Sequence, residues 1–277
     1  MSDLQTSFNN QRILVKNLPT LPMALQEASR LAENPQTTVT QLAAVIGRDQ
    51  VLAGKVLKMV NSPTYGFSGR IASIHNALVL LGFNVVKSLI ISTVVFEHIP
   101  KGMNALWRHS IGCSTACSEL GRLLKIEQAD EIFVAGLLHD IGKVIIAVQL
   151  PEAQKEINRL VHEEDLVCCD AEKRVLGMDH SRIGTWIAQH WNLPVSLRYA
   201  LANHHNPMQA ASGITVASIV HIADFLARLF EFGNSGDDKV SLLDPHVFKH
   251  LGLNQQKLSM AIDTIGEKFE TGTIDLF

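Results

Sequence analysis

The chain is poor in cysteine: four in 277 residues, Cys113, Cys117, Cys168 and Cys169, with no Cys-x-x-Cys pair among them. That argues against a disulfide framework and predicts a reducing, cytoplasmic setting. Basic excess is missing too. Lysine and arginine total 24 against 27 acidic residues, a net charge of -3, so no direct nucleic-acid partner is expected. No apolar run reads as long enough for a bilayer. The longest, near residues 85–95 and 214–232, are interrupted by polar residues, so no membrane association is expected. The N-terminus is polar, without the apolar core of a signal peptide. No period-2 strand pattern and no internal repeat is visible. What is present is 47% apolar residues against 18% charged, enough for a sizeable core.

Helical periodicity fills the chain, and the expected fold class is all-α. Residues 1–11 read as a polar lead-in. Leu18-Pro19-Thr20-Leu21-Pro22 is too proline-rich for helix. Short helices follow over about 23–33, 39–46 and 50–60, the last capped by Asp49 and ended by Asn61-Ser62-Pro63. Ser73 caps a helix closing at Leu81-Gly82, and Asn84 caps another to about Glu97. Pro100 and Gly102 mark the seam between an N-terminal helical layer, 12–100, and a histidine-rich half, 101–230. Within that half, helices are expected over about 104–125, 130–150, 152–163, 168–176, 180–191, 194–203 and 214–230. Residues 231–277 form a helical extension after a polar turn at 233–239.

The chemistry centres on His139-Asp140-Ile141-Gly142-Lys143, inside a proline-free apolar run, 132–148, that reads as one buried helix. His139 and Lys143, four residues apart, would share a face of it. Buried charge is costly unless paired. A divalent cation would solve that, and Lys143 would then reach an anion beside it. A hydrogen-bonded core His-Asp pair is the competing explanation. Other helices carry His109, His180, His221 and Asp224, and the pair His204-His205 stands at a helix end. Asp224 lies in a helix with almost no other charge.

The order His109, His139-Asp140, Asp224 resembles the H…HD…D pattern of the HD superfamily of metal-dependent phosphohydrolases. His180 and His204-His205 look like the extra ligands of its two-metal members. Leu18-Pro19-Thr20-Leu21-Pro22, Asn61-Ser62-Pro63-x-Tyr65-Gly66, Leu80-Leu81-Gly82, Trp191-Asn192-Leu193-Pro194 and His204-His205-Asn206-Pro207 narrow the resemblance to the HDOD family, over about 12–230. It implies an HD-superfamily helical bundle in a bacterial signalling or regulatory setting, working with a signalling protein partner. HDOD proteins are relatives of the HD-GYP cyclic di-GMP phosphodiesterases, and many are thought to have lost catalysis. Two departures from HD-GYP stand out. The Gly-Tyr-Pro loop is absent after His205. Ala105 occupies the position, one turn before His109, where some HD-GYP proteins place a carboxylate.

On this basis His109, His139, Asp140 and Asp224 would hold one ion. Asp140 would bridge to a second held by His180, His204 and His205. One or two ions are therefore expected, and such nitrogen–oxygen sites suit iron, manganese, nickel or zinc. The expected function is regulation through protein contacts with weak or no hydrolysis. The alternative is an active phosphohydrolase of a nucleotide or phosphodiester, with Asp140 and Lys143 catalytic. His221 is expected to support the site rather than to ligate. Trp107, Trp186 and Trp191 are expected to pack. Asn61, Ser62 and Tyr65 read as turn chemistry or a partner contact.

Overall fold

The structure, a computed structural model, describes residues 21–62, 70–97, 99–100, 102–127, 129–240 and 242–271. The polar lead-in, most of the first proline motif and Tyr65-Gly66 lie outside the described residues. No strand occurs among the described residues.

Three short helices, α1 (Met23–Ala32), α2 (Val39–Gly47) and α3 (Gln50–Val60), stack on α4 (Ile74–Glu97). Their ends are set locally. Thr38 and Gln41 make a reciprocal capping box on α2, and Asp49 accepts from the Leu52 N–H at 3.0 Å to open α3. Asn61 pins the chain that leaves α3: its amide donates to the carbonyls of Leu57 and Ile71, and its Oδ1 accepts from Ile71 N–H. That is the turn role expected of it.

Helix α4 is interrupted at Gly82, whose φ of 78° and ψ of 164° are not helical. The break divides α4 into two segments, as the Leu81-Gly82 stop and the Asn84 start in the sequence predict. Ile74–Val95 is long and apolar enough to cross a membrane by length and composition, and is mostly buried within the protein. Leu89, Ile90 and Ile91 are fully buried, and α4 packs the N-terminal layer onto the histidine-rich half.

That half comprises α5 (Asn104–Leu123), α6 (Ala129–Leu138), α7 (Ile141–Gln149), α8 (Pro151–Glu163), α9 (Cys168–Leu176), α10 (His180–His190), α11 (Val195–Asn203) and α12 (Ile214–Leu229). Helices α5, α6 and α12 form its centre, with α10 against α7 and α11. Two close approaches set the spacing. A Cβ on Gly136 would come within 2.7 Å of Cys117 Sγ and 2.9 Å of Ser114 Cα, so α6 meets α5 nearly backbone to backbone. A Cβ on Gly142 would lie 2.0 Å from the His180 carbonyl oxygen, so α7 meets the start of α10 equally closely. Cys113 and Cys117 are buried in the α5–α6 contact, as small apolar residues.

Beyond α12, residues 231–240 fold back over the start of α5, where Asn234 N–H donates to the Ala105 carbonyl at 3.0 Å. Helices α13 (Pro245–Leu251) and α14 (Gln255–Glu270) follow. Phe269 stacks on Phe232, and Lys268 reaches Glu119 of α5 at 2.7 Å.

Candidate metal centre

The expected single helix over 132–148 is instead two. Helix α6 stops at Leu138, and α7 starts at Ile141 with Asp140 at its N-cap, at φ -96° and ψ 14°. The break has a chemical reason. Consecutive residues on a helix diverge by about 100°, whereas this turn lets His139 and Asp140 face the same interior group. The Asp140 carboxylate makes no cap hydrogen bond. It takes Lys143 Nζ at 2.9 Å instead. Lys143 therefore reaches back to Asp140 and does not extend along a face shared with His139.

All seven residues expected to hold metal lie in one group. His109 Nε2 is 3.0 Å from Asp224 Oδ1 and 3.3 Å from His139 Nε2. On the other side, His180 Nε2 is 3.3 Å from His204 Nε2 and 3.0 Å from His205 Nε2. Asp140 lies between the halves and turns one oxygen to each. Its Oδ2 is 3.4 Å from His139 Nε2 and 3.9 Å from His109 Nε2, and its Oδ1 is 3.1 Å from His180 Nε2 and 3.9 Å from His204 Nε2. His205 is partly exposed and the other six are buried.

The outer ring nitrogens fix the inner ones. His139 Nδ1 bonds the Gly136 carbonyl at 2.7 Å, and His204 Nδ1 bonds the Leu201 carbonyl at 2.9 Å. Carbonyls only accept, so these Nδ1 atoms carry a proton, and Nε2 is the nitrogen each ring turns inward. His180 Nδ1 bonds Glu172 Oε2 at 2.7 Å, a carboxylate behind an imidazole. His221 uses both nitrogens elsewhere. Nδ1 donates to the His204 carbonyl at 2.7 Å, and Nε2 accepts from Asp244 N–H at 3.1 Å. It supports the backbone of His204 and does not face the centre. The remaining described histidines, His75, His162, His190, His246 and His250, are exposed.

Electrostatics follow the same division. Burial opposes a charged ring at His139, but Asp140 and Cys113 outweigh it and hold its pKa well above the usual value. At His180 burial is outweighed mainly by Glu172, again raising the pKa. Burial lowers His109 despite its contact with Asp224. It lowers His204 and His205 strongly, reinforced at both by neighbouring rings. Burial also opposes ionisation of Asp140, yet His139, Lys143 and His180 hold it well below the carboxylate range. Asp224 is held low in the same way, mostly by Arg228. Each half thus stabilises one positive charge among neutral nitrogens.

These donors fit a divalent metal. Zinc–nitrogen bonds of about 2.0–2.1 Å at a tetrahedral angle separate nitrogens by roughly 3.3–3.4 Å. The His109–His139 and His180–His204 nitrogen pairs each stand 3.3 Å apart. Asp140 Oδ1 is buried and has no aligned hydrogen-bond donor, an expensive state for a carboxylate oxygen that a cation would relieve.

Four participants escaped the sequence reading. Glu172 accepts from both Nδ1 and the backbone N–H of His180. It sits at an apolar position of α9, in line with buried Cys168, Ala171 and Leu176, and that misplacement was a usable signal. Arg228, one turn after Asp224, donates to it at 3.1 Å and also holds Asp237 and the Lys239 carbonyl. Asp237 lies in the 233–239 turn, where nothing in the sequence marks it. Cys169 Sγ stands 3.3 Å from His205 Nε2. A cavity of about 760 Å³ opens beside the centre, lined by Lys143, Cys168 and Glu172 on its inner wall and by His162, Asp237 and Lys239 among others further out.

An all-helical bundle carrying five converging histidines and two aspartates defines an HD-type protein. Residues 18–207 match the model of the HDOD domain, and the chain belongs to the HDOD family. An HDOD domain protein of unknown function from Geobacter sulfurreducens superposes with a TM-score of 0.75 at 24% identity, covering 100% of this chain and 98% of that one. A proposed signal transduction protein from Marinobacter aquaeolei VT8 gives 0.69 at 23% identity, over 93% of this chain and 60% of that one. An uncharacterized protein of Treponema pallidum (strain Nichols) is 26% identical over 202 residues, which cover 69% of this chain but only 38% of that relative's length.

Proposed function

We propose that this is a regulatory protein built around a buried two-metal centre, acting through protein contacts and hydrolysing phosphoesters weakly or not at all. The observation that carries it is the convergence of five imidazole Nε2 atoms and both oxygens of Asp140 in an interior where hardly any donor is exposed. His109, His139, Asp224 and Asp140 Oδ2 would hold one ion; His180, His204, His205 and Asp140 Oδ1 the other. Divalent ions there would supply Lewis acidity and would lower the pKa of a bound water. The surrounding residues favour retention over turnover. Lys143 is committed to Asp140, Arg228 to Asp224 and Asp237, and the 233–239 turn covers the start of α5. The proposed signalling role of the Marinobacter aquaeolei relative agrees with this reading.

A second reading, a phosphohydrolase of small phosphoesters, is favoured by the cavity that reaches Lys143. Lys143 is held protonated there: burial works against its charge, but Asp140 outweighs it. In that case Lys143 would bind a phosphate oxygen and Asp140 would position the reacting oxygen.

Purified protein should carry about two divalent ions per chain, and metal-loaded protein should leave cyclic di-GMP intact over hours. The segment between His205 and α12, residues 206–213, holds one 3₁₀ turn, Pro207–Gln209, and is short for clamping so large a substrate. Metal analysis and product chromatography check both statements. Robust, metal-dependent cleavage would promote the second reading, and protein that takes up no iron, manganese, nickel or zinc would sink the first.

Glu172→Gln should keep an acceptor behind His180 but remove its charge, weakening the second ion by about 10–100-fold and sparing the first. Competitive metal titration would resolve the two affinities; equal weakening of both would contradict the division drawn here.

A further inference from the structure

Cys169 is the second residue of α9 and is half-buried, unlike Cys113, Cys117 and Cys168, which are buried. Its sulfur lies 3.3 Å from His205 Nε2, which itself stands 3.0 Å from His180 Nε2; its 4.0 Å approach to His180 is to Nδ1, the nitrogen that Glu172 holds. A thiol in contact with an imidazole is by itself an ordinary S–H···N hydrogen bond. Three further observations point to a ligand instead. The sulfur belongs with His180 and His205 to one group whose donor atoms all lie within 4.8 Å of one another. His180 is shared with a second such group, His180, His204 and Asp140, whose Asp140 Oδ1 is buried, lacks an aligned donor and turns toward His180 Nε2. Finally, zinc–sulfur and zinc–nitrogen bonds of about 2.3 and 2.0 Å at the roughly 90–120° angles of a five-donor site place the donors roughly 3.0–3.7 Å apart, a range that holds the separation from His205.

We propose that Cys169 is a thiolate ligand of the second metal, on its solvent side beside His205. This rests on the two-metal reading above. It makes the two halves chemically unequal. The His109–His139–Asp224 half offers only nitrogen and oxygen, whereas the His180 half adds a soft sulfur. Zinc, cobalt(II) and iron(II) should therefore prefer the second half, and manganese should gain little from it. On coordination the Cys169 proton leaves to solvent and the sulfur lone pair is donated to the ion, with no change in oxidation state.

The test is anaerobic cobalt(II) titration of the apo full chain, followed by absorption and metal analysis. Wild type should show a near-ultraviolet sulfur-to-cobalt charge-transfer band as one of its ions binds. Cys169→Ser should lose the band while keeping the visible cobalt transitions. Its zinc affinity at the second half should fall about tenfold or more, with manganese affinity nearly unchanged. Cys169→Ala should behave the same way. Two bound cobalt ions without the band, or a band retained in Cys169→Ser, overturns the thiolate ligand and leaves the two-metal reading standing. Failure of wild type to bind cobalt at all overturns both.

Discussion

Asp140→Asn is expected to empty both halves of the centre at once, reducing metal content from about two ions to a small fraction of one. No other residue of the group serves both sides. Its oxygens lie 3.4 Å from His139 Nε2 and 3.1 Å from His180 Nε2. An amide keeps the shape but provides a single neutral acceptor, and its NH₂ faces an imidazole that needs a cation. The substitution also strands Lys143, buried and paired to Asp140 at 2.9 Å. Breaking a buried pair from one side costs about 3–5 kcal/mol, so the melting temperature should fall by many degrees. The two effects can be separated. Asp140→Asn with Lys143→Met removes the stranded charge and should recover most of the stability while binding no more metal than the single variant. Metal analysis beside thermal melts reads both. An Asp140→Asn protein that still holds two ions would refute the bridging role.

Gly142→Ala should be among the most damaging single-methyl additions in the chain. The new Cβ would sit 2.0 Å from the His180 carbonyl oxygen and 3.0 Å from Gly184 N, both backbone atoms. No side chain can swing aside, so α7 and α10 must separate. Overpacking ordinarily costs about 1–3 kcal/mol, and a backbone clash belongs at or above the top of that range. The displaced helix begins at His180, so any protein that still folds should lose affinity at the second half first. Denaturant unfolding with metal titration checks this. A fully stable variant with normal second-site affinity would mean that α7 and α10 are not as close as described.

Much of this was written in the residues. Apolar residues at helical spacing, capping by Asp49, and the missing period-2 pattern were enough for an all-α fold. The histidine–aspartate group was legible because buried histidines and Asp224 are conspicuous in apolar helices. Spaced motifs tied them to the HDOD family. Arg228 was within reach of the same reasoning, four residues from Asp224, and so was Glu172, at an apolar position of α9.

Periodicity reports which residues are buried, not where a ring nitrogen points, and that limit marks where the sequence stopped. The run 132–148 looks helical throughout because both α6 and α7 are buried. The turn at His139-Asp140 between them is favoured by contacts with three other helices, which local propensity does not encode. The distances that turn a set of histidines into a centre come from the closeness of α5 to α6 at Gly136 and of α7 to α10 at Gly142. Asp237 and Cys169 joined the site through loops and helix starts remote in sequence from what they touch. The sequence by itself determined the donors and the helical frame. Only tertiary packing decided that Asp140 faces both halves, because that depends on helix crossings no local pattern specifies.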